Sequence, residues 1–235
     1  MKILNSSLKY FIVQKLNVSN KVAIGYILSG RVLVNGQKGT LSQVLLPEDE
    51  VRMDEEVLKE GRKNVYLAYH KPRGIESTLN VAIENNLLEA LDFPESVFPV
   101  GRLDKESEGL MLLTNDGRTL FNIIHAEKQQ EKEYRVTVDK PLTQEAIDRL
   151  AAGIVIMGKR TRPANVRQVD EQTFNIILTQ GLNRQIRRMC YKLGYQVLKL
   201  VRVRIISLEL GELAPGEWRH LQQSELSSLL QEVSA

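Results

Sequence analysis

Apolar positions recur along this chain first at helical and then at strand spacing. Residues 8–16 and 22–28 predict two short helices, the second entered through Ser19-Asn20, a reasonable N-cap site. Gly30 ends that helix, and residues 31–36 predict a strand running into an Asn-Gly turn, the strongest short hairpin signal. Residues 44–46 and 50–53 complete a small β-rich cap. A polar stretch containing Gly61, residues 59–64, reads as a linker. Beyond it, 65–70 predicts a strand closed by Lys71-Pro72-Arg73-Gly74, and 86–91 a short helix. Residues 118–125 predict a helix, 132–138 a strand with Tyr134, Val136 and Val138 on one side, and Thr143 caps a helix to Ala152 that stops at Gly153. Short strands are expected at 154–157, 164–169 and 174–179, a strand at 198–206 and a closing helix at 224–233.

Two places stand out against this background. Residues 97–100 and 110–113 are apolar runs punctuated at Gly101 and Gly109, so they predict two buried strands. The loop between them, Arg102-Leu103-Asp104-Lys105-Glu106-Ser107-Glu108, carries three carboxylates and two cations and would be held by core at both ends. The second place is a helix expected over 183–193, with Ile186, Met189, Cys190 and Leu193 as its buried stripe and Arg184, Arg188 and Tyr191 opposite. Arg187 falls at the edge of that stripe, half-buried and able to reach inward. In the following strand, simple alternation puts Leu200, Arg202 and Arg204 on one face.

Composition narrows the function classes. With 235 residues, 43% hydrophobic and 26% charged, the chain has the make-up of one large or two small globular domains. Its longest apolar runs are too short to span a membrane, and residues 1–7 lack the features of a signal peptide. A single cysteine and three scattered histidines offer neither an internal disulfide nor metal-ligand spacing. A reduced, cytoplasmic setting without metal or cofactor is therefore expected. Charge is uneven: residues 159–204 hold 11 Lys+Arg against 2 Asp+Glu, while the rest hold 21 against 27. Such asymmetry is the sequence footprint of a polyanion-binding surface.

Four stretches together carry a resemblance. Gly101-Arg102-Leu103-Asp104 with Ser107-Glu108-Gly109-Leu110 and Leu113-Thr114-Asn115-Asp116-Gly117 resembles the central motif of the RNA pseudouridine synthases of the RsuA/RluF group. Lys71-Pro72-Arg73-Gly74, Lys132-Glu133-Tyr134-Arg135-Val136 and the run from Gly181 to Cys190 agree in order and spacing, the last being most similar to the RluF type. Residues 27–36 and 47–51 are similar to the S4 RNA-binding module, although Ser19-Asn20-Lys21 stands where that module usually carries paired arginines. The resemblance implies an α+β protein. An S4-like α/β RNA-binding module (1–58) and a linker (59–64) would precede a catalytic domain (65–235) with a mixed, largely antiparallel sheet in two subdomains. It further implies isomerisation of uridine to pseudouridine in RNA, most similar to that of 23S ribosomal RNA, with transfer RNA or small-subunit RNA as alternatives. A monomer acting without cofactor is expected.

The resemblance also assigns roles: Asp104 as the essential carboxylate, Tyr134 stacked on the target base, Arg187 paired with Asp104, and Leu200 as an apolar pocket residue. The chemistry suits them. Cutting and remaking a glycosidic bond without a cofactor calls for an ionised carboxylate, and a neighbouring guanidinium would keep it charged in an enclosed pocket. Tyr134 can stack on an extruded base, and Arg102, Leu103 and Lys132 are expected to line the same pocket. Lys71, Arg73, Lys159, Arg160, Arg162, Arg167, Arg184, Arg188, Arg202 and Arg204, with Lys21 and Arg31 in the first module, form the expected RNA-contacting set. Taken singly these residues have plainer readings: Asp104 as a turn residue, Tyr134 as core, and Glu106 and Glu108 as solvent-facing partners of Lys105 or Arg102. A non-catalytic RNA-binding factor and a carbohydrate hydrolase using Asp104 and Glu108 remain as competing classes.

Overall fold

Serine caps start the first two helices: Ser7 Oγ accepts from the Tyr10 N–H and Ser19 Oγ from the Val22 N–H. They open α1 (Leu8–Leu16) and α2 (Asn20–Leu28), whose inner residues Leu8, Ile12, Ala23 and Ile27 are buried. The computed structural model describes residues 7–117 and 130–234, so the helix expected at 118–125 lies outside the described residues. The helices pack on a four-stranded antiparallel sheet ordered β2-β1-β3-β4, made of β1 (Val32–Val34), β2 (Gln37–Lys38), β3 (Val51–Met53) and β4 (Glu56–Lys59). Asn35 and Gly36 both take positive φ, 53° and 76°, as the predicted two-residue turn requires. Val44, expected in a strand, makes only an isolated bridge to Ser7.

By its internal contacts the chain divides into Met1–Asn64 and Val65–Ala235. The stretch read as a linker is partly structured. Lys59 closes β4, and Gly61 lies so near the Glu48 carbonyl that an added Cβ would meet it at 2.5 Å.

The second unit is built on one nine-stranded sheet. Its members in chain order are β5 (Tyr66–Lys71), β6 (Phe98–Pro99), β7 (Glu108–Thr114), β8 (Lys132–Val138), β11 (Asn165–Gln168), β12 (Thr173–Leu178), β13 (Val197–Ile205), β14 (Leu208–Glu209) and β15 (Trp218–His220). The order is β11-β12-β8-β13-β7-β5-β15, with β14 on β13 and β6 on β7. A separate hairpin joins β9 (Val155–Ile156) and β10 (Lys159–Arg160). Helices α3 (Leu87–Ala90), α4 (Gln144–Ala152), α5 (Gln185–Lys192) and α6 (Gln223–Ser234) complete it. Within this sheet every pairing is antiparallel except β13 with β7, which run parallel over Val201–Glu108 and Arg202–Gly109. This parallel seam separates the strands β11-β12-β8-β13 from β7-β5-β15.

Each half has its own core. Val136, Phe174, Ile176, Ile186 and Met189 belong to one; Leu67, Tyr69, Leu103, Met111 and Leu113 belong to another. Tyr134 packs against both. Val97–Val100 is not a buried strand: only two residues pair with β7, and Phe98 is exposed.

Alternation along β13 fails at two points, between Val197 and Lys199 and, with more consequence for the site, between Arg202 and Arg204. Arg202 pairs with Tyr134 and Arg204 with Glu133, so one extra residue is accommodated between them. That bulge rotates Arg204 to the face opposite Leu200 and Arg202, correcting the expectation that the three share a face.

Candidate active site

The loop between β6 and β7 is tied down through five consecutive carbonyls. Arg202 Nη1 donates to Arg102 O at 3.3 Å, and Ser77 Oγ donates to Leu103 O at 2.6 Å. The Ser107 N–H donates to Asp104 O at 3.0 Å and the Gly74 N–H to Lys105 O at 2.7 Å. Arg187 Nη2 reaches Glu106 O at 2.8 Å. Ser77 Oγ also accepts the Leu103 N–H at 3.1 Å. The backbone that carries Asp104 is thus fixed from three other segments of the fold, residues 74–77, Arg187 and Arg202. The half-buried Asp104 carboxylate itself has no hydrogen bond or ion pair among the described residues, so both oxygens are free to face a ligand.

The opposing wall is the start of α5. Arg184 takes a left-handed conformation at its N-cap, φ 51°, and buried Gln185 turns back so that its Oε1 accepts from the Leu182 N–H and Gln180 Nε2. Between the walls lies a cleft of about 600 Å³ lined by Arg102, Leu103, Asp104, Tyr134, Arg187 and Leu200, among others. Leu103 and Leu200 are buried and give it an apolar floor. Tyr134 stands beside the Arg202 guanidinium, whose Nη2 is buried without a hydrogen-bond partner. An open carboxylate, an aromatic ring and an apolar floor within one cleft suit a flat base and a reacting sugar.

Three predicted partnerships are redrawn. Arg187 forms no ion pair with Asp104; its ion-pair partner is Glu106, with Nε 4.0 Å from Oε2. Burial lowers its pKa, Glu106 opposes that most strongly, and Asp104 contributes a weaker pull of the same sign. Glu106 is held low by the hydrogen bond from Arg184. The second carboxylate, Glu108, meets Lys199 at 3.1 Å across the parallel seam, so neither uses Lys105 or Arg102.

The basic set splits on folding. Lys71 is fully buried, Nζ donating to the carbonyls of Pro72 at 2.9 Å and Ile75 at 2.7 Å, and burial pulls its pKa to about 8. Arg202 is buried as well, with Nε on Leu110 O at 2.7 Å. Both serve the fold, because a buried cation is tolerated only where carbonyls or carboxylates satisfy it. Arg204 is taken up by Glu131 and Glu133, and Arg31 by Asp54 and the Tyr26 ring, which corrects their assignment as free phosphate contacts. Lys132 is partly buried beside Arg202, outside the cleft lining. Lys21 is exposed in the first unit; Lys159, Arg160, Arg162 and Arg167 are exposed and do not themselves line the cleft; Arg188 bonds to Asn183; Arg73 is exposed and lies near Glu106.

Ser77, Gly74 and Gln185 were not singled out by the sequence pattern. Ser77 and Gly74 act through bonds to the backbone of the distant Asp104 loop and Gln185 through bonds to the nearby Leu182 and Gln180, and only the Lys71–Gly74 turn was itself conspicuous. Cys190, buried in the α5 stripe, has its thiol pushed up to about 12, which removes it as a nucleophile. No group of three or more His, Cys, Asp or Glu able to hold a metal occurs among the described residues.

Comparison with known proteins agrees with this geometry. Residues 65–192 match the family model described as RNA pseudouridylate synthase. Over 213 residues the chain is 42% identical to the dual-specificity RNA pseudouridine synthase RluF of Escherichia coli K12, covering 90% of this chain and 73% of that protein. It is 31% identical to the ribosomal small subunit pseudouridine synthase A of the same organism, covering 94% of this chain and 98% of that one. A crystal structure of a pseudouridylate synthase superposes with a TM-score of 0.66 at 29% identity, over 95% of this chain and 99% of that one.

Proposed function

The chain belongs to the RNA pseudouridine synthases, of the RsuA type, and on that premise we propose that it converts a uridine of 23S ribosomal RNA to pseudouridine with Asp104 as the reacting carboxylate. The observation that carries the assignment is the Asp104 side chain itself, open to the cleft while every carbonyl of its loop from Arg102 to Glu106 is bonded. Such an arrangement spends no hydrogen bond on the reacting oxygens and fixes the position from which they act.

In the reaction the bond from C1′ to N1 breaks and one from C1′ to C5 forms; a proton leaves C5 and one is gained at N1, so no oxidant or co-substrate is needed. Asp104 acts on the sugar or base as nucleophile or charge partner. Tyr134 stacks on the extruded base, and Leu103 and Leu200 exclude water from it. Arg187 keeps the site electropositive from beside Glu106 instead of through a direct pair with Asp104. The first unit acts as an S4-like RNA-docking module, and its engagement of Arg31 by Asp54 suits a role in orientation more than in strong phosphate binding.

The test is a pseudouridine map of total RNA from cells with and without this gene. A position in 23S RNA lost with the gene is expected. Losses confined to small-subunit or transfer RNA would overturn the choice of substrate, and no loss anywhere would overturn the function.

A further inference from the structure

Two arginines converge on one carboxylate at the cleft wall. Arg184 Nη1 lies 2.6 Å and Arg187 Nε 4.0 Å from the same Oε2 of Glu106. Arg73 adds a third positive charge felt by both Glu106 and Arg187. Glu106 leaves this cluster unbalanced. Arg187 Nε is buried with no hydrogen-bond partner, since 4.0 Å is too long for one, so an acceptor is missing there. The start of α5 points the same way: its N-cap makes no side-chain cap bond and its own first turn holds no acidic residue, so its positive end adds to the cluster. The Glu106 side chain is 50% exposed and can swing into solvent, whereas Arg187 is fixed by the carbonyls of Glu106 and Val197.

We propose that Arg184 and Arg187 form a subsite for an RNA phosphodiester beside the target nucleotide, and that Glu106 occupies it in the RNA-free protein as a built-in competitor. The inference rests on reading the cleft as the uridine-isomerising site. When RNA enters, phosphate oxygens take Arg184 and the vacant Arg187 Nε, and the Glu106 carboxylate turns outward. The Glu106 carbonyl keeps its bond to Arg187, so the exchange leaves the Asp104 loop where it is. RNA must displace an internal anion to enter, which disfavours weakly fitting polyanions.

The test is binding of a short fluorescein-labelled oligouridylate to the full chain across a salt series. Glu106→Gln keeps the side chain's size and removes the competing charge. Its Kd is expected to fall about fivefold, the factor that corresponds to freeing one surface ion pair. The slope of log affinity against log salt should steepen, because counterions then occupy the empty subsite and are released on binding. Arg184→Gln should weaken binding by a larger factor in the Glu106→Gln background than alone. An unchanged or raised Kd in Glu106→Gln, or identical effects of Arg184→Gln in both backgrounds, would overturn the subsite and leave Glu106 as a residue that merely positions Arg187. Tighter binding by Glu106→Gln in a protein that makes no pseudouridine would support the subsite and refute the isomerase reading instead.

Discussion

Ser77 holds the Asp104 loop by both backbone polar groups of one residue, accepting from the Leu103 N–H and donating to the Leu103 carbonyl, in a place closed to water. Ser77→Ala leaves two buried backbone groups unsatisfied at a cost of about 1–3 kcal/mol. Single-turnover assays should show a rate lower by roughly tenfold with RNA affinity little changed, as expected when a reacting group loses its placement. Lys71 gives a pH signature. Its folded pKa of about 8 lies below the ordinary 10.5, so between these values the unfolded chain binds more protons. Stability therefore rises with pH across that window, and below about 8 the burial penalty is felt in full. Urea melts of wild type and Lys71→Met should differ by this rise, which the variant lacks. Asp104 and Tyr134 were expected at one cleft from compact motifs and Leu200 from a looser one, and all three line it. Ser77 was not legible in the sequence, since nothing in its surroundings announces a bond to residue 103. The partner of Arg187 was misread because Asp104 and Glu106 are two residues apart, and only the fold decides which carboxylate faces the guanidinium.

The parallel seam between β7 and β13 depends on Gly109. A Cβ there would lie 2.3 Å from Arg202 O and 2.5 Å from Arg202 N, and φ is +113°. Gly109→Ala must push the strands apart, and since Arg202 also holds the Leu110 and Arg102 carbonyls, the loop moves with them. A loss of about 3 kcal/mol or more is expected, read as a lowered Tm, together with lost activity. Most helices and strands were visible from periodicity and caps: Ser19, Thr143 and Gly153 bound their helices as the sequence suggested. The bulge in β13 was not, because Val201, Arg202, Val203 and Arg204 alternate without a break and only pairing with β8 reveals the extra residue. β4 was missed because its pairing with β3, more than its own weak alternation, makes it a strand.

Across the whole molecule, the basic segment 159–204 overstated the free positive charge. Folding turns Arg202 inward, gives Arg204 to Glu131 and Glu133, and brings Arg184 onto Glu106, so only part of the linear count remains for RNA. What folding adds is concentration of function at one place: a freely presented carboxylate, Tyr134 and an apolar floor meet where the two halves of the sheet join. The role of that carboxylate is decided by mapping pseudouridine, nucleotide by nucleotide, in unmodified ribosomal RNA incubated with purified wild type and Asp104→Asn. Wild type should create pseudouridine at a defined position. Asp104→Asn, folded and still binding the RNA, should create none; pseudouridine formed by that variant at the wild-type rate would contradict the assignment.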